Sequence, residues 1–388
     1  PTPTMDPTRE STYRFLEKFF GEMATLFPYA YVHFGCDENN GVAWAKNPSI
    51  ESFMKKNNLP DAHALQAYFA NRVTKILTKL NKKAIGWEEI LSGNISSDVI
   101  VQVWNNATYL KKALEANHPV LMSKGFYLDH FMPAYVHYQN EMIPSDSSSI
   151  LIYGGEAAMW AEAVDKNNID TRIWPRAGAI AERLWSPASV TNIDDLYRRL
   201  FILNRQLDDL GLQQITEYER SLRRLAGEKD PMPLKTLTDV LTPVKGYKKM
   251  FGKIGKPEGY FFQTAPLIAV SDIIPVDNEA RWNFRNLVAE YLHTINANAE
   301  KKIIDILTKW HDNKDLLAPY FEGSELLAEV KQQSENLSEA ASIGLEAITK
   351  IKNGSQPSQE WISEKINRLK ELRKSYGETD LAILPEIE

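Results

Sequence analysis

The sequence predicts an α/β protein: a parallel sheet built from repeated βα units, followed by an α-helical carboxyl-terminal region. Three observations predict it. Five short apolar runs rich in β-branched and aromatic residues recur before Trp160, and helical or loop material separates them. Neither a dinucleotide glycine fingerprint nor a P-loop accompanies these runs, which leaves the nucleotide-binding version of the fold without support. Long polar helical stretches then fill the chain after Asp277. Such βα repeats form either an open doubly wound sheet or a (β/α)8 barrel, and five strands are too few to close a barrel.

The elements follow in order. Phe15, Phe19, Met23 and Leu26 lie at helical spacing, and Asp6-Pro7 ahead of them suits an N-cap followed by a first-turn proline. The stretch YAYVHFGCDENN, Tyr29 to Asn40, reads as a strand that stops at two adjacent carboxylates, Asp37 and Glu38. A helix over about Ala62 to Leu80 shows Leu65, Phe69, Val73, Ile76 and Leu80 on one face, and the strand KAIGW follows it. VIVQVW (Val99 to Trp104), a helix around Thr108 to Ala116 and the strand PVLMS come next. ILIYGGEAAMW begins at Ile150, and helices follow near Arg172 to Trp185 and Asn192 to Leu210, with Gly211 where a helix end favours glycine. Residues 213–276 are rich in Pro, Gly and Lys and read as linker, irregular chain or a small layered structure. Helices are expected over Glu279 to Trp310, Glu322 to Lys352 and Ser358 to Lys374, a packing module without a chemical motif. The predicted divisions are therefore 1–212, 213–276 and 277–388.

Composition bounds the function. With 43% hydrophobic and 25% charged residues, the 388-residue chain can bury more than one core. A net charge of -6 leaves no basic surplus for phosphates and argues against nucleic acid as a partner. The single cysteine, Cys36, excludes an intramolecular disulfide. No apolar run is long enough to span a membrane. The first residue is Pro1 rather than methionine, so the lack of a leader says nothing about export.

Chemistry in barrel enzymes stands at the carboxyl ends of strands. Those ends here carry Asp37-Glu38, Trp87-Glu88-Glu89, Trp104, Tyr127 with Asp129, and Trp160 with Glu162. Singly, a tryptophan is ordinarily core and an aspartate after a strand is ordinarily a cap. Aromatic residues beside acids at successive strand ends instead suit a carbohydrate, with rings stacking on sugar faces and carboxylates binding hydroxyls or moving protons.

Taken together, HFGCDENN, GWEE, VQVW, FYLD, GGEAAMWAE and WPRAGAIAERLWSP resemble, in order and spacing, the motifs of glycoside hydrolase family 20, the β-N-acetylhexosaminidases. The resemblance covers about Asp6 to Leu212, and Cys36 replaces a glycine of the family's His-x-Gly-Gly-Asp-Glu pattern. It implies a TIM barrel of which strands 4–8 are present, and places strands 1–3 and a small α/β domain upstream, with an arginine for the sugar hydroxyls. It implies Glu38 as general acid and base, Asp37 as the group that orients the substrate's 2-acetamido group, and Tyr127 as its partner at the acetamido oxygen. Trp87, Trp104 and Trp160 would wall the pocket, and Asp129 and Glu162 would bind outer hydroxyls. No cofactor or metal is implied. The partner is an N-acetylhexosamine glycan, and export to periplasm, extracellular space or lysosome is expected. By contrast His33 reads as structural, Glu88 and Glu89 as supports of the following helix, and Glu182-Arg183 as a structural ion pair.

Adjacent acids fit this chemistry for a physical reason. Neighbouring residues of an extended chain point to opposite sides, so Asp37 and Glu38 poorly match the two carboxyls, about 5 Å apart, of ordinary retaining glycosidases. No enzyme nucleophile is needed if the substrate's acetamide oxygen attacks the anomeric carbon. Two rivals remain at this point: a catalytically incomplete carbohydrate-binding fragment, and an interaction module on the helices after residue 279. An open barrel segment is also expected to self-associate through its strand edges.

Overall fold

The computed structural model describes residues 4–140, 151–248 and 266–388. The expected strand start at Ile150 and residues 249–265 of the expected linker lie outside the described residues. The chain divides into two compact units: Pro1–Tyr127 with Asn140–Ala157, and Leu128–Gln139 with Ala158–Glu388.

The first unit is the parallel α/β part. Its helices are α1 (Glu10–Leu26), α2 (Val42–Ala45), α3 (Pro48–Lys56), α4 (Ala62–Lys79) and α5 (Ala107–Glu115). Strands β1 (Tyr31–His33), β2 (Lys83–Trp87), β3 (Ile100–Val103), β4 (Val120–Met122) and β5 (Ile152–Gly155) form one sheet in sequential order, every neighbouring pair parallel. Side chains alternate across it. One face supplies Val32, Phe34, Ala84, Val101, Val103, Val120 and Met122 to a core shared with Leu16 of α1, Val73 and Leu77 of α4 and Leu110 of α5. Each Val, Leu, Phe or Met side chain among them, once fully buried, stabilises by roughly 1.5–3 kcal/mol. His33, Trp87 and Gln102 alternate onto the other face, Trp87 and Gln102 being direct partners in the register. Asp61 caps α4 by accepting the Ala64 N–H at 2.8 Å, and Asn106 caps α5 by accepting that of Thr108 at 2.9 Å. Asp6, expected as the cap of α1, lies one turn early. It accepts from the Thr8 N–H at 2.9 Å and the Thr8 hydroxyl at 2.7 Å, and the helix begins at Glu10.

The second unit is helical. It holds α6 (Ala134–Tyr138), α7 (Ile169–Ile173), α8 (Arg176–Trp185), α9 (Ile193–Asp209), α10 (Thr216–Ala226) and α11 (Pro231–Thr238). After β6 (Leu241–Pro243) come α12 (Val270–Ile273), α13 (Glu279–His293), α14 (Ala297–Phe321), α15 (Glu325–Ala328), α16 (Lys331–Lys352) and α17 (Gln359–Glu371), then β7 (Thr379–Leu381) and α18 (Leu384–Ile387). The helix expected across Arg172 to Trp185 is interrupted because Pro175 has no N–H to continue α7. The helix expected over Glu279 to Trp310 is also two, since the Asn296 carboxamide accepts the Ala299 N–H at 2.7 Å and starts α14 afresh. Within the stretch expected to be irregular, α10 and α11 form, the latter from Asp230 as cap and Pro231 in the first turn. The antiparallel pairing of β6 with β7, distant in sequence, was not visible beforehand. The anticipated Glu182–Arg183 pair is absent. Successive helical residues point about 100° apart, so Glu182 meets Arg199 of α9 and the Tyr138 hydroxyl, at 2.6 Å from the latter, while Arg183 donates to the carbonyls of Ser186, Pro187 and Val190.

Polar as they read, these helices enclose a large apolar cluster that includes Leu237, Ile303, Leu307, Trp310, Leu337 and Ala341. A Cβ at Gly344 would stand 3.0 Å from the Leu307 side chain, so α14 and α16 pack closely at this glycine. Among the described residues no helix is long and apolar enough to cross a membrane.

Candidate active site

The end of β1 turns sharply. Gly35 and Cys36 have φ of +83° and +79°, and Glu38 has φ of +50°. The left-handed region costs a non-glycine residue about 1–3 kcal/mol and persists only where neighbours enforce it. Five contacts do so. The Gln66 side chain of α4 donates to the Cys36 carbonyl at 2.6 Å and accepts from Asn39 at 3.2 Å. The Trp87 N–H donates to the Gly35 carbonyl at 3.0 Å, and the Gly35 N–H to His33 Nδ1 at 3.1 Å. Glu89 accepts the Glu38 N–H at 3.4 Å. Asp37 and Glu38 are thus held on a fixed turn with exposed side chains. They line a cavity of about 340 Å³ with Phe34, Cys36, Asn39, Trp44, Gln66 and Phe69. Burial pushes the Cys36 thiol up to about 12, so the lone cysteine is a neutral packing group at ordinary pH.

The next strand ends lean on the same acids. Glu89 also accepts from the Trp104 indole N–H at 3.3 Å, joining the turn after β1 to the end of β3. Glu88 is buried and accepts the backbone N–H groups of Trp104, Asn105 and Asn106 at 2.9, 3.2 and 3.3 Å, directly before α5. Burial raises both carboxyls above the ordinary range. Trp87 is buried with its ring 4.9 Å from His33, and Trp104 lies 6.1 Å from the buried Tyr127 ring at a 40° tilt. Beneath them the buried Gln102 amide donates to the Ser123 hydroxyl at 2.7 Å and to Glu156 at 3.0 Å.

In the second unit, Asp129 sits in a 3-10 turn, Leu128–His130, and is only 6% exposed. The Tyr247 hydroxyl donates to its Oδ2 at 3.0 Å, and its Oδ1 is buried with no hydrogen-bond partner among the described residues. Burial pushes its carboxyl up. Arg176 holds this turn by donating to the carbonyls of Leu128 at 2.9 Å and Met132 at 3.0 Å. Arg172, one helix earlier, donates to those of Ser271, Asp272 and Ile274 at 2.8, 2.6 and 2.9 Å. Burial lowers both guanidinium groups to about 10, which leaves them charged at neutral pH. Glu162 follows the half-exposed Trp160 in another 3-10 turn, and its Oε2 is likewise buried without a partner among the described residues. Of the residues expected in the site, Asp37, Glu38, Trp87, Trp104 and Tyr127 belong to the first unit and Asp129, Trp160 and Glu162 to the second.

Residues 1–188 match the profile described as glycosyl hydrolase family 20, catalytic domain. They belong to that family. β-Hexosaminidase subunit beta of Mus musculus is 34% identical over 220 residues, covering 54% of this chain and 41% of its own. β-Hexosaminidase subunit A2 of Dictyostelium discoideum is 38% identical over 207 residues, covering 49% of this chain and 38% of its own. The crystal structure of Flavobacterium johnsoniae chitobiase superposes with a TM-score of 0.87 at 30% identity, covering all of this chain and 59% of that one. The chain thus spans about two fifths of the length of the curated relatives it matches.

Several supporting residues, most of them within this family 20 domain, escaped the sequence reading. Glu89 was read only as a support of the following helix, yet it holds the Glu38 backbone and the Trp104 ring. Glu156 and Arg176 lie inside quoted motifs, so a signal was present, but neither follows an aromatic–acid pattern. Gln66, on a helix face otherwise read as apolar, and Tyr247, outside the matched residues, had no signal at all.

Proposed function

We propose that the chain is the carboxyl-terminal portion of a β-N-acetylhexosaminidase that removes terminal N-acetylglucosamine or N-acetylgalactosamine from glycans. The observation that carries this reading is the Asp37-Glu38 pair, exposed on a rigid left-handed turn at a strand end of a family 20 domain. Glu38 protonates the glycosidic oxygen and then activates water, which requires a carboxyl open to substrate and solvent. Asp37 accepts the acetamido N–H, and Tyr127 orients the acetamido oxygen as it attacks the anomeric carbon. The resulting oxazolinium ion carries positive charge that Asp37 stabilises, and water opens it with overall retention. Trp87, Trp104 and Trp160 wall the sugar. Asp129 and Glu162 bind outer hydroxyls, a role supported by the buried unpartnered oxygen on each.

The finer architecture belongs to the same proposal: β1–β5 are strands 4–8 of a (β/α)8 barrel in residues 1–212, followed by 213–276 as a connecting region and 277–388 as the helical region. The sequential all-parallel order supports it. So do Phe15, Phe19, Leu26, Phe27 and Tyr31, large apolar side chains exposed on α1 and around β1, one of the two edge strands, where further barrel elements would cover them. The same edge favours self-association of the isolated segment and supports a second reading, in which this segment alone binds sugar without turning it over. Export follows from the family resemblance. The test compares an aryl β-N-acetylglucosaminide with the matched aryl β-glucoside, using the full-length protein. Without the internal nucleophile, cleavage should fall by more than about 10³-fold, the scale of a lost intramolecular reactant. Comparable rates on both substrates would refute the mechanism.

A further inference from the structure

Asp129 is gripped by a segment that lies well beyond the matched catalytic domain. Its turn is contacted by Gly246 and Tyr247, in the segment that follows β6. The Val244 N–H donates to the Glu378 carbonyl at 3.0 Å, which ties the segment to the chain just before β7. Gly246, at φ of +67°, turns the chain so that its N–H donates to the His130 carbonyl at 2.7 Å. Tyr247 then packs edge-on against the His130 ring, centroids 4.7 Å apart, and its hydroxyl donates to Asp129 Oδ2 at 3.0 Å. Two independent contacts, one to backbone and one to ring, fix the hydroxyl on one carboxylate oxygen while the other oxygen stays unpartnered among the described residues.

We infer that Tyr247 is a positioning residue for sugar binding: it occupies one oxygen of Asp129 and thereby presents the other to a substrate hydroxyl. The inference rests on the reading of Asp129 as a hydroxyl ligand and adds to it a residue from the carboxyl-terminal region. The physical logic is that a buried carboxylate must be held ionised to accept a hydroxyl. Burial works against ionisation, and a hydrogen bond to the charged form works for it. Among the described residues, the charged and titratable groups facing Asp129 are Tyr247, His130, Glu162 and Arg176. The Tyr247 hydroxyl favours the anion, so removing it raises the Asp129 pKa further, and the acid limit of binding moves to higher pH.

Tyr247→Phe keeps the ring on His130 and deletes only the hydroxyl. In the full-length protein, with an aryl β-N-acetylglucosaminide, it should raise KM about 10-fold, the scale of one hydrogen bond to a charged acceptor. kcat should stay within about 2-fold, because hydroxyl binding is shared by ground and transition states. The acid limb of the kcat/KM profile should move upward in pH. Asp129→Asn, measured beside it, should raise KM at least as much, and the double variant should be no worse than Asp129→Asn alone. A raised KM with an unmoved acid limb would mean that Tyr247 only packs, and would overturn the inference. So would an unchanged KM in Tyr247→Phe while Asp129→Asn is impaired. If Asp129→Asn itself has the wild-type KM, the hydroxyl-ligand reading falls, and the role of Tyr247 with it.

Discussion

Glu38 and Asp129 are both carboxylates that follow strands of the parallel sheet, yet their surroundings are opposite. Glu38 is exposed, and its position is enforced through its backbone: a left-handed residue whose N–H is held by Glu89. Asp129 is buried, and its position is enforced through its side chain, with Tyr247 on one oxygen. On the roles proposed for them, the difference teaches what each task requires. A group that gives a proton to a leaving oxygen and takes one from water needs an open carboxyl, so the protein secures the main chain and leaves the side chain alone. A group that recognises a hydroxyl gains from desolvation, because an acceptor deprived of water binds whatever donor enters.

That contrast can be broken at either end. The largest effect is expected at Glu38. Glu38→Gln preserves shape but cannot transfer a proton, a contribution of typically 10²–10⁴-fold. The loss should fall on substrates with poor leaving groups and largely spare activated aryl glycosides, as steady-state rates on a leaving-group series would reveal. Equal losses across the series would remove Glu38 from the acid role.

A smaller effect should come from the support beneath it. Glu89→Gln retains length but weakens the acceptor for the Glu38 N–H and the Trp104 indole. It should lower kcat about 10-fold through misplacement of the acid, with little change in KM. Tyr247→Phe is expected to do the reverse, so measuring both constants for both variants sharpens the comparison. A Glu89→Gln effect confined to KM would contradict backbone enforcement of Glu38.

Most of the first unit was legible beforehand because its sheet is sequential. Strands, helices and strand-end acids all follow local patterns of period 2 or 3.6, and the motifs stand where the strands stop. Breaks such as that at Pro175 were readable in principle, since a proline inside a helical pattern announces them. The rest depends on distant pairings. β6 joins β7 across more than a hundred residues, and Tyr247 reaches Asp129 over a similar span. Neither Tyr247 nor Gln66 belongs to a pattern that marks it, because each acts through polar contacts to an element elsewhere in the chain. Glu88 and Glu89 show the same limit at short range. As adjacent acids they invite one reading, but Glu88 caps the entry to α5 while Glu89 turns to Glu38 and Trp104.

The central claim is that Asp37 and Glu38 divide the work, one steadying the substrate's own nucleophile and the other moving the proton. The most direct measurement is the affinity of a thiazoline analogue of the oxazolinium intermediate for wild-type and Asp37→Asn full-length protein, by calorimetry, with N-acetylglucosamine as reference. The wild type should bind the thiazoline far more tightly than the sugar. Asp37→Asn should weaken thiazoline binding on the order of 10²-fold, the scale of one preorganised electrostatic partner, and barely alter sugar binding. Undiminished thiazoline affinity in Asp37→Asn would show that Asp37 does not stabilise the intermediate and would contradict the account.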